Sequence, residues 1–455
     1  MRLPGTEDTI VALATPPGRG AIAIVRMSGP DAHRIAGRVL TPWRPTPRQV
    51  YRATMRDPAS GVIIDQPVVT VYVAPRSYTG EDLVELGVHG GHVGPARALA
   101  ALIAAGARDA LPGEFTRRAV AAGKMDLLQA EAVGDLVDAR SAGMHAAALD
   151  QLAGHLSRTI LALRDQLLGL EAMIAYEIDF PEEDSGPVAR AQVLRAAREV
   201  TAALDRLLDT APVGALLHHG ALVVIAGAPN TGKSSLFNAV LGSRRAIVTE
   251  IPGTTRDAIE AVVEIGRWPV RLVDTAGLRH TDDLVERLGI QTTERYVREA
   301  DVVLACGDDA AALEAAVSGA RALSAKPVLA IRTKSDLVAV EDEYPPHGGA
   351  ALAVSAVTGD GLSALATALD QTLARSAGGG SVGGPMLTRE RHLRAVRRAR
   401  EEAVAFERAW DAGALPAPVA AVHLRAATTA LEELIGAIDV EDVLDRVFST
   451  FCVGK

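Results

Sequence analysis

The stretch ALVVIAGAPNTGKSSLFN, residues 221–238, constrains the fold more than any other part of the chain. An apolar β-branched run, Leu222-Val223-Val224-Ile225, turns through Gly227 to Ser234 and continues as a helical pattern. The spacing is G-x-x-x-x-G-K-S/T, set between a buried strand and a helix, which is the context a phosphate-binding loop requires. Glycines let the backbone wrap an anion with its N–H groups inward. The following helix aims its positive end at the same point. Lys233 can reach the outer phosphates, and the Ser234 hydroxyl can ligate Mg²⁺. An incidental glycine-rich turn is the competing reading, and the companion segments below disfavour it.

Those segments fall in the order a GTPase needs. Thr254-Thr255-Arg256-Asp257 offers a second hydroxyl to Mg²⁺, assigned to Thr255. Asp274-Thr275-Ala276-Gly277 ends an expected strand and can meet the metal's water shell and the γ-phosphate. Thr333-Lys334-Ser335-Asp336 ends another, and Asp336 can accept from guanine N1 and N2, which adenine cannot match. Ser355-Ala356-Val357 can back the guanine ring. The usual first residue of the Asp336 motif is Asn; here it is Thr333, whose hydroxyl can still brace the loop at some cost in affinity. The expected nucleotide set is Asn230, Thr231, Gly232, Lys233, Ser234, Ser235, Thr254, Thr255, Asp274 to Gly277, Thr333 to Asp336, and Ser355 to Val357, to which the resemblance given below adds Thr249, Glu250, Ile251, Pro252 and Gly253. In Ras-like GTPases a Gln after the glycine of the Asp274 segment orients the attacking water. Leu278 stands there and cannot hydrogen-bond. Asp282, Asp283 and Glu286 are candidate substitutes, although such clusters are usually solvated helix starts.

A chain of 455 residues suggests about three domains. Net charge of −9 excludes a bulk-basic nucleic-acid binder. Two cysteines, Cys306 and Cys452, build no disulfide framework or zinc site by themselves. The opening MRLPGTEDTIV lacks a signal-peptide pattern, and no apolar run reaches about 18 residues. A cytoplasmic protein with no membrane association is expected.

Residues 1–121 read as mixed α/β, with strands at Ile10–Ala14, Ala21–Met27, Val68–Val73 and Leu83–Val88 and a helix over Ala96–Ala105. From Lys124 the pattern turns helical. Leu149, Leu152, Leu156, Ile160, Leu163, Leu167, Leu170 and Ile174 predict one face of a single long helix, stopped by the acidic turn from Asp179. A second helical stretch covers Val188–Leu208. The nucleotide domain, 215–377, carries expected strands at Leu222–Ile225, Arg271–Asp274, Val302–Ala305, Pro327–Ile331 and Ala351–Val354, a doubly wound alternation with ligand at the strand C-termini. Gly378–Gly384 reads as a flexible linker, and the chain is helical again from about Met386 to the end, within a second helical part of 378–455. The fold class expected is multidomain α/β: an N-terminal α/β domain, then a helical domain in two parts (122–214 and 378–455) interrupted by a Ras-like P-loop domain.

The chain resembles the MnmE/TrmE family of tRNA-modification GTPases from end to end. The resemblance is carried by Asp8-Thr9-Ile10-Val11-Ala12, Ala14 to Gly20 (ATPPGRG), Tyr78-Thr79-Gly80-Glu81-Asp82 and Pro112-Gly113-Glu114-Phe115-Thr116. Lys124-Met125-Asp126-Leu127, Ile178-Asp179-Phe180-Pro181, Ile251 to Asp257 (IPGTTRD) and the terminal Phe451-Cys452-Val453-Gly454-Lys455 complete it. The resemblance implies a K⁺-stimulated GTPase whose G domains dimerise, with K⁺ held by Asn230, Thr249, Ile251 and Thr254 in place of an arginine finger. It matches the family's catalytic Glu to Glu286, beside Lys233 and Thr255. It implies an N-terminal domain like the folate-binding fold of aminomethyltransferases, forming a constitutive homodimer. The one-carbon tetrahydrofolate contacts (5-formyl or 5,10-methylene) match Arg26, Glu85, Lys124 and Lys455. Gly87-Val88 departs from the family's commoner pair after that glutamate. The implied activity is installation of a (carboxymethyl)aminomethyl group at C5 of a wobble uridine of certain tRNAs, with the FAD-dependent partner MnmG (GidA) in a heterotetramer.

Taken alone, Arg26, Glu85 and Lys124 would read as structural ion-pair members, and Cys452 as an inert small hydrophobe. The place of Cys452 in the terminal signature gives it a candidate catalytic role. Arg389, Arg391, Arg394, Arg397, Arg398 and Arg400 crowd one helical stretch: either a solvated face, the commoner case, or a phosphate-backbone contact. The rival to the whole reading is a regulatory switch of the Era or EngA type, acting in ribosome assembly without folate or modification chemistry.

Overall fold

The structure is a computed structural model that describes residues 7–179, 188–243, 246–247, 259–275, 292–337, 351–378, 383–413, 416–436, 447–448 and 451–454. The chain divides into two compact units, residues 1–134 with 435–455, and residues 135–434. No helix among the described residues is long and apolar enough to cross a membrane.

The first unit begins with β1 (Ile10–Leu13), β2 (Ile22–Ser28), α1 (Ala32–Val39), β3 (Leu40–Thr41), β4 (Val50–Arg52), β5 (Thr54–Arg56) and β6 (Ile63–Asp65). It continues with β7 (Val68–Tyr72), β8 (Leu83–His89), α2 (Val93–Ala104), β9 (Arg108–Asp109), α3 (Glu114–Ala121) and α4 (Leu127–Asp138), whose last turn lies past the unit boundary. Six strands form one sheet in the order β4-β7-β8-β2-β1-β9, and β3-β5-β6 form a small second one. Strand residues alternate between faces. Ala23, Val25 and Met27 of β2 and Val84, Leu86 and Val88 of β8 are buried against Ile35 and Val39 of α1 and Leu102 of α2 in one core. Arg26 and Glu85, directly opposite each other in the β2–β8 register, occupy the alternate positions and so the other face.

The second unit opens with α5 (Ala142–Leu152), α6 (His155–Asp179), α7 (Arg190–Leu208) and α8 (Ala211–His219). The sheet domain follows: β10 (Ala221–Gly227), α9 (Lys233–Ser243), β11 (Ala246–Ile247), β12 (Ile259–Ile265), β13 (Trp268–Asp274), β14 (Val302–Gly307), α10 (Ala310–Leu323), β15 (Val328–Arg332), β16 (Leu352–Ala353) and α11 (Leu362–Ser376). Last come α12 (Glu390–Ala412) and α13 (Ala417–Ile435). Arg400 pairs with Asp205 at 2.9 Å and Glu407 with Arg198 at 3.0 Å, tying α12 along α7.

Two expectations need correcting. The single long helix is two, because Ala153-Gly154 interrupts the periodic run with Gly154 at φ +79°. Leu156, Ile160, Leu163, Leu167, Leu170 and Ile174 of α6 are buried, whereas Leu149 of α5 is 45% exposed and off the stripe. The sheet order is β11-β12-β13-β10-β14-β15-β16, with β13, β10, β14, β15 and β16 mutually parallel as expected. The sequence reading did not foresee β12, which pairs antiparallel with β13 over seven residues. The acidic turn after Asp179 lies outside the described residues, as does the middle of the glycine linker, 379–382.

Candidate nucleotide and small-ligand sites

All five residues Ala221–Ile225 of β10 are buried, as a strand flanked by β13 and β14 demands. Gly227 then lies so close to β14 that a Cβ there would sit 2.3 Å from the Cys306 carbonyl oxygen. Asn230 (φ 63°) and Gly232 (φ 83°) take left-handed backbone, which curls the loop back on itself. Thr231 Oγ1 and Lys233 Nζ both donate to the Ala228 carbonyl, at 2.8 and 2.6 Å. Lys233 is 5% exposed, so its ammonium is held inside the loop, while Ser234 and Ser235 in the first turn of α9 are exposed. Asp274 ends β13 beside β10 and is buried; Thr275 donates to the Ile225 carbonyl at 2.8 Å, tying this segment to the phosphate loop's own strand.

The Thr333–Asp336 and Ser355–Val357 segments, expected to read the base, converge on the same end of the sheet. Thr333 is buried and its hydroxyl reaches the Thr231 carbonyl at 2.5 Å and the Gly307 carbonyl at 3.2 Å. Lys334, at φ 54°, forms an ion pair with Asp308 at 2.7 Å, which holds the Asp308 carboxyl below its usual range. Ser355 Oγ donates to Asp336 Oδ1 at 2.6 Å and accepts from the Val357 and Thr358 amides. Ala356 lies between these two contacts in the same turn, and Ser335 N donates to the Val354 carbonyl at 3.3 Å. Asp308 and Gly307 were missed by the sequence reading. Gly307 ends strand β14 and Asp308 follows it at the C-terminal end, where open α/β sheets place ligand groups, and that position is the signal that could have found them. Thr249, Glu250, Ile251, Pro252, Gly253, Thr254, Thr255, Ala276, Gly277 and Glu286 lie outside the described residues.

In the first unit, Arg26 and Glu85 form an ion pair at 2.8 Å, each 22% exposed. The Arg26 guanidinium lies over the rings of Tyr78 (5.3 Å) and Phe115 (5.9 Å), and Tyr72 OH donates to Glu85 at 3.4 Å. Lys124 Nζ donates to the Pro75 carbonyl at 2.9 Å, its side chain running past Gly80. The Pro75–Gly80 segment is thus shared by Lys124 and Arg26. Residues before Lys455 reach the same strands: a Cβ on Gly454 would meet the Leu13 carbonyl at 2.4 Å, and Leu13 pairs with Val25, next to Arg26. Lys455 itself lies outside the described residues, and Cys452 is exposed. Tyr72, Tyr78 and Phe115 were not foreseen as part of this group, although Tyr78 and Phe115 lie within segments that carried the resemblance. A Cβ on Gly87 would be in ordinary van der Waals contact with the Val68 carbonyl oxygen at 3.6 Å and with the Val68 and Ile22 side chains at 3.7 and 3.8 Å.

The arginines of α12 prove largely spoken for. Arg389 pairs with Asp135 at 2.5 Å, Arg394 with Glu390, Arg398 with Glu433 and Arg400 with Asp205. Arg391 donates to the carbonyls of Glu433 and Leu434 near the end of α13. The stretch is mostly intramolecular pairing, which weighs against a dedicated phosphate-binding face.

A strand-loop-helix phosphate cradle, an aspartate-ended neighbouring strand and a serine-backed aspartate at the adjacent strand ends define a P-loop nucleotide-binding domain of the guanine-reading kind. Comparison with known proteins narrows this. The profile described as the MnmE helical domain matches residues 127–452, and that of the GTP-binding protein TrmE N-terminus matches residues 9–124. A "tRNA modification GTPase MnmE" of Azoarcus sp. is 43% identical over 462 residues, spanning 100% of this chain and 99% of the relative. Its namesake in Thermus thermophilus is 44% identical over 457 residues, 99% of each. The chain belongs to the MnmE/TrmE family.

Proposed function

We propose that the protein is a GTP hydrolase of the tRNA-modifying kind, as its relatives are named. With an FAD-dependent MnmG/GidA partner it installs a (carboxymethyl)aminomethyl group at C5 of the wobble uridine. The observation that carries the GTPase part is the bond between the base-reading and phosphate-binding segments, Thr333 to Thr231. Asp336, oriented by Ser355, accepts from guanine N1–H and N2–H₂; adenine offers no such donor pair. Lys233 and the inward amides of the loop hold the β- and γ-phosphates. The oxygen donors fit hard cations. Ser234, exposed at the helix start, with Thr255 would hold Mg²⁺, and Asn230 with Thr249, Ile251 and Thr254 would hold K⁺. Either cation supplies fixed positive charge beside the phosphate oxygens. Glu286 takes the water-positioning role that Leu278 cannot.

In the N-terminal unit, Arg26 and Glu85 supply a cation for a folate's glutamate tail and a carboxylate for its pterin N–H groups, with Lys124 and Lys455 beside them. The apposed charges and the aromatic rings of Tyr78 and Phe115 support a flat, charged ligand there. A homodimer through this domain, a cytoplasmic site of action and the domain limits 1–121, 122–214, 215–377 and 378–455 belong to the same proposal. In this scheme GTP hydrolysis drives closure and reopening of paired G domains, away from the base chemistry.

The test is GTP turnover in KCl against NaCl at equal ionic strength, with Glu286→Ala and Asn230→Ala alongside. Stimulation by K⁺ that both variants lose is the expected result. Equal rates in the two salts would remove the K⁺ site and favour a plain regulatory switch.

A further inference from the structure

The β12–β13 hairpin meets the helical residues through a shared core, with Val213 and Leu217 of α8 buried beside Ile265 and Trp268, and its turn is hydrogen-bonded to the start of α5. Its strands pair over seven residues, from Ile259 opposite Asp274 to Ile265 opposite Trp268. At one end stand Asp274 and Thr275 of the candidate site, and β12 is entered directly from the segment bearing Thr254 and Thr255. At the other, roughly 20 Å away at about 3.4 Å per residue, is the Gly266-Arg267 turn. That turn abuts the start of α5. The Arg267 carbonyl accepts from Ser141 Oγ at 2.9 Å and from the Gly143 amide at 3.2 Å. Glu264 Oε1 accepts from the Ala142 amide at 2.6 Å.

The fit has no slack. A Cβ on Gly143 would lie 2.3 Å from the Arg267 carbonyl oxygen and 2.9 Å from Leu217 of α8, and one on Gly266 would lie 2.4 Å from Asp370 of α11. Ser141 also serves as the N-cap of α5, accepting from the Met144 amide at 3.1 Å. One hydroxyl therefore both caps the helix and grips the hairpin. Among the first amides of α5, which have no partner within the helix, two are satisfied by the hairpin instead.

We infer that the Ser141–Gly143 clamp on the Gly266-Arg267 turn relays the nucleotide state from the β12–β13 hairpin to α5 and the helical residues. β13 is held on its other side by β10, so the strand free to respond is β12: a shift at its Ile259 end, next to the Thr254-Thr255 segment, is carried along its ladder with β13 to the Gly266-Arg267 turn. Displacement withdraws the acceptors from Ser141, Ala142 and Gly143 and loosens the first turn of α5. The inference rests on the GTPase reading above, and deepens it by naming the transmitting contact.

The test is hydrogen exchange of the 141–148 segment in the full chain, with GDP and with a non-hydrolysable GTP analogue. Nucleotide affinity is measured separately by fluorescence titration. In the wild type, exchange of the first turn of α5 should differ between the two nucleotides by about 2- to 30-fold, the range of an N-cap. In Ser141→Ala/Glu264→Met the difference should vanish while both affinities stay within about twofold. If the double variant folds poorly, the two single variants should each reduce the difference. Equal exchange in both nucleotide states of the wild type, or a difference that survives in the variants, would overturn the relay. Failure to bind either guanine nucleotide would instead overturn the GTPase reading, and the relay with it.

Discussion

The Thr333 hydroxyl lies 2.5 Å from the Thr231 carbonyl, so the segment proposed to read the base is fastened to the loop proposed to hold the phosphates. Thr333 also faces the Gly307 carbonyl at 3.2 Å, and its own amide donates to that same oxygen at 2.9 Å. An asparagine at this place would bring two N–H donors. A threonine brings one proton for two carbonyls, so the brace survives with half the donors. Because Asp336 and Ser355 are untouched by the exchange, the proposed reading has the brace govern affinity and the aspartate govern which base is chosen.

Thr333→Val keeps the shape of the side chain and removes only the hydroxyl. It leaves a buried carbonyl short of its donor, a loss of about 1–2 kcal/mol. GDP and GTP should then bind about 5- to 30-fold more weakly, with the preference over ATP unchanged. Titration with a fluorescent guanine nucleotide, competed by ATP, checks both halves. A changed base preference would show that Thr333 does more than brace.

Ser355→Ala should show the complementary pattern. The Ser355 hydroxyl donates to Asp336 at 2.6 Å and accepts from the amides of Val357 and Thr358. Without it the carboxylate is free to rotate and the turn loses its acceptor. We expect about 1 kcal/mol off guanine-nucleotide binding, with a smaller GTP-over-ATP ratio. The same competition assay reads it, and an unaltered ratio would mean that Asp336 is positioned without Ser355.

Much of this site could be read from the chain because its parts are tied to strand ends. A buried run such as Leu222–Ile225 followed by a glycine loop and a helix has few alternatives, and the Asp274 and Asp336 segments each end a strand of the same sheet. What escaped was decided by partners far away in sequence. Asp308 is one acidic residue among many until Lys334 folds beside it. Arg389, Arg398 and Arg400 look like an open basic face until Asp135, Glu433 and Asp205 arrive. The α5–α6 break was hidden by leucine spacing that continues across Gly154, whose left-handed backbone no periodicity reveals. Ile259–Ile265 is apolar enough for a strand, yet its pairing with β13 defines it, not its composition.

The two cysteines should differ sharply in reactivity. Cys306 is fully buried in β14, and burial pushes its thiol up to about 12. At pH 8 its thiolate fraction is on the order of 10⁻⁴, and no reagent can approach it without unfolding. Cys452 is exposed. Treating the native protein with a chromogenic disulfide should release one equivalent of thiol quickly and the second only in denaturant. Cys452→Ser should abolish the fast phase. Two fast equivalents would contradict the packing of β14 against the phosphate loop.

The acid limit of the first unit should be set by the cluster around Arg118. That guanidinium is 2% exposed and pairs with Asp8 at 2.7 Å, Glu114 at 3.0 Å and Glu81 at 3.3 Å, while Arg108 pairs with Asp8 and Glu114 as well. The hydrogen bond from Arg108, helped by Arg118, holds the Asp8 carboxyl below its ordinary 3.8 against the opposing effect of burial. At Glu114 burial pushes upward, but bonds from Arg108, the Leu111 amide and Arg118 together hold the carboxyl below 4.5. Both groups have folded values depressed below the unfolded ones. Their contribution is therefore complete above about pH 5 and lost as pH falls through 4.5 and 3.8 towards the folded values. Of the three tryptophans only Trp43 belongs to this unit, so Trp268→Phe/Trp410→Phe protein reports its unfolding by fluorescence. In that background the Trp43 melt should drop in temperature between pH 6 and pH 3.5, and Asp8→Asn should flatten the drop. Arg118→Met removes one of the two guanidiniums shared by Asp8 and Glu114 and the one paired with Glu81; it should cost up to about 3–5 kcal/mol at pH 7 and less at pH 3.5, where Asp8 and Glu114 begin to take up protons. A melt that is equally pH-dependent in Asp8→Asn would place the acid sensitivity outside this cluster.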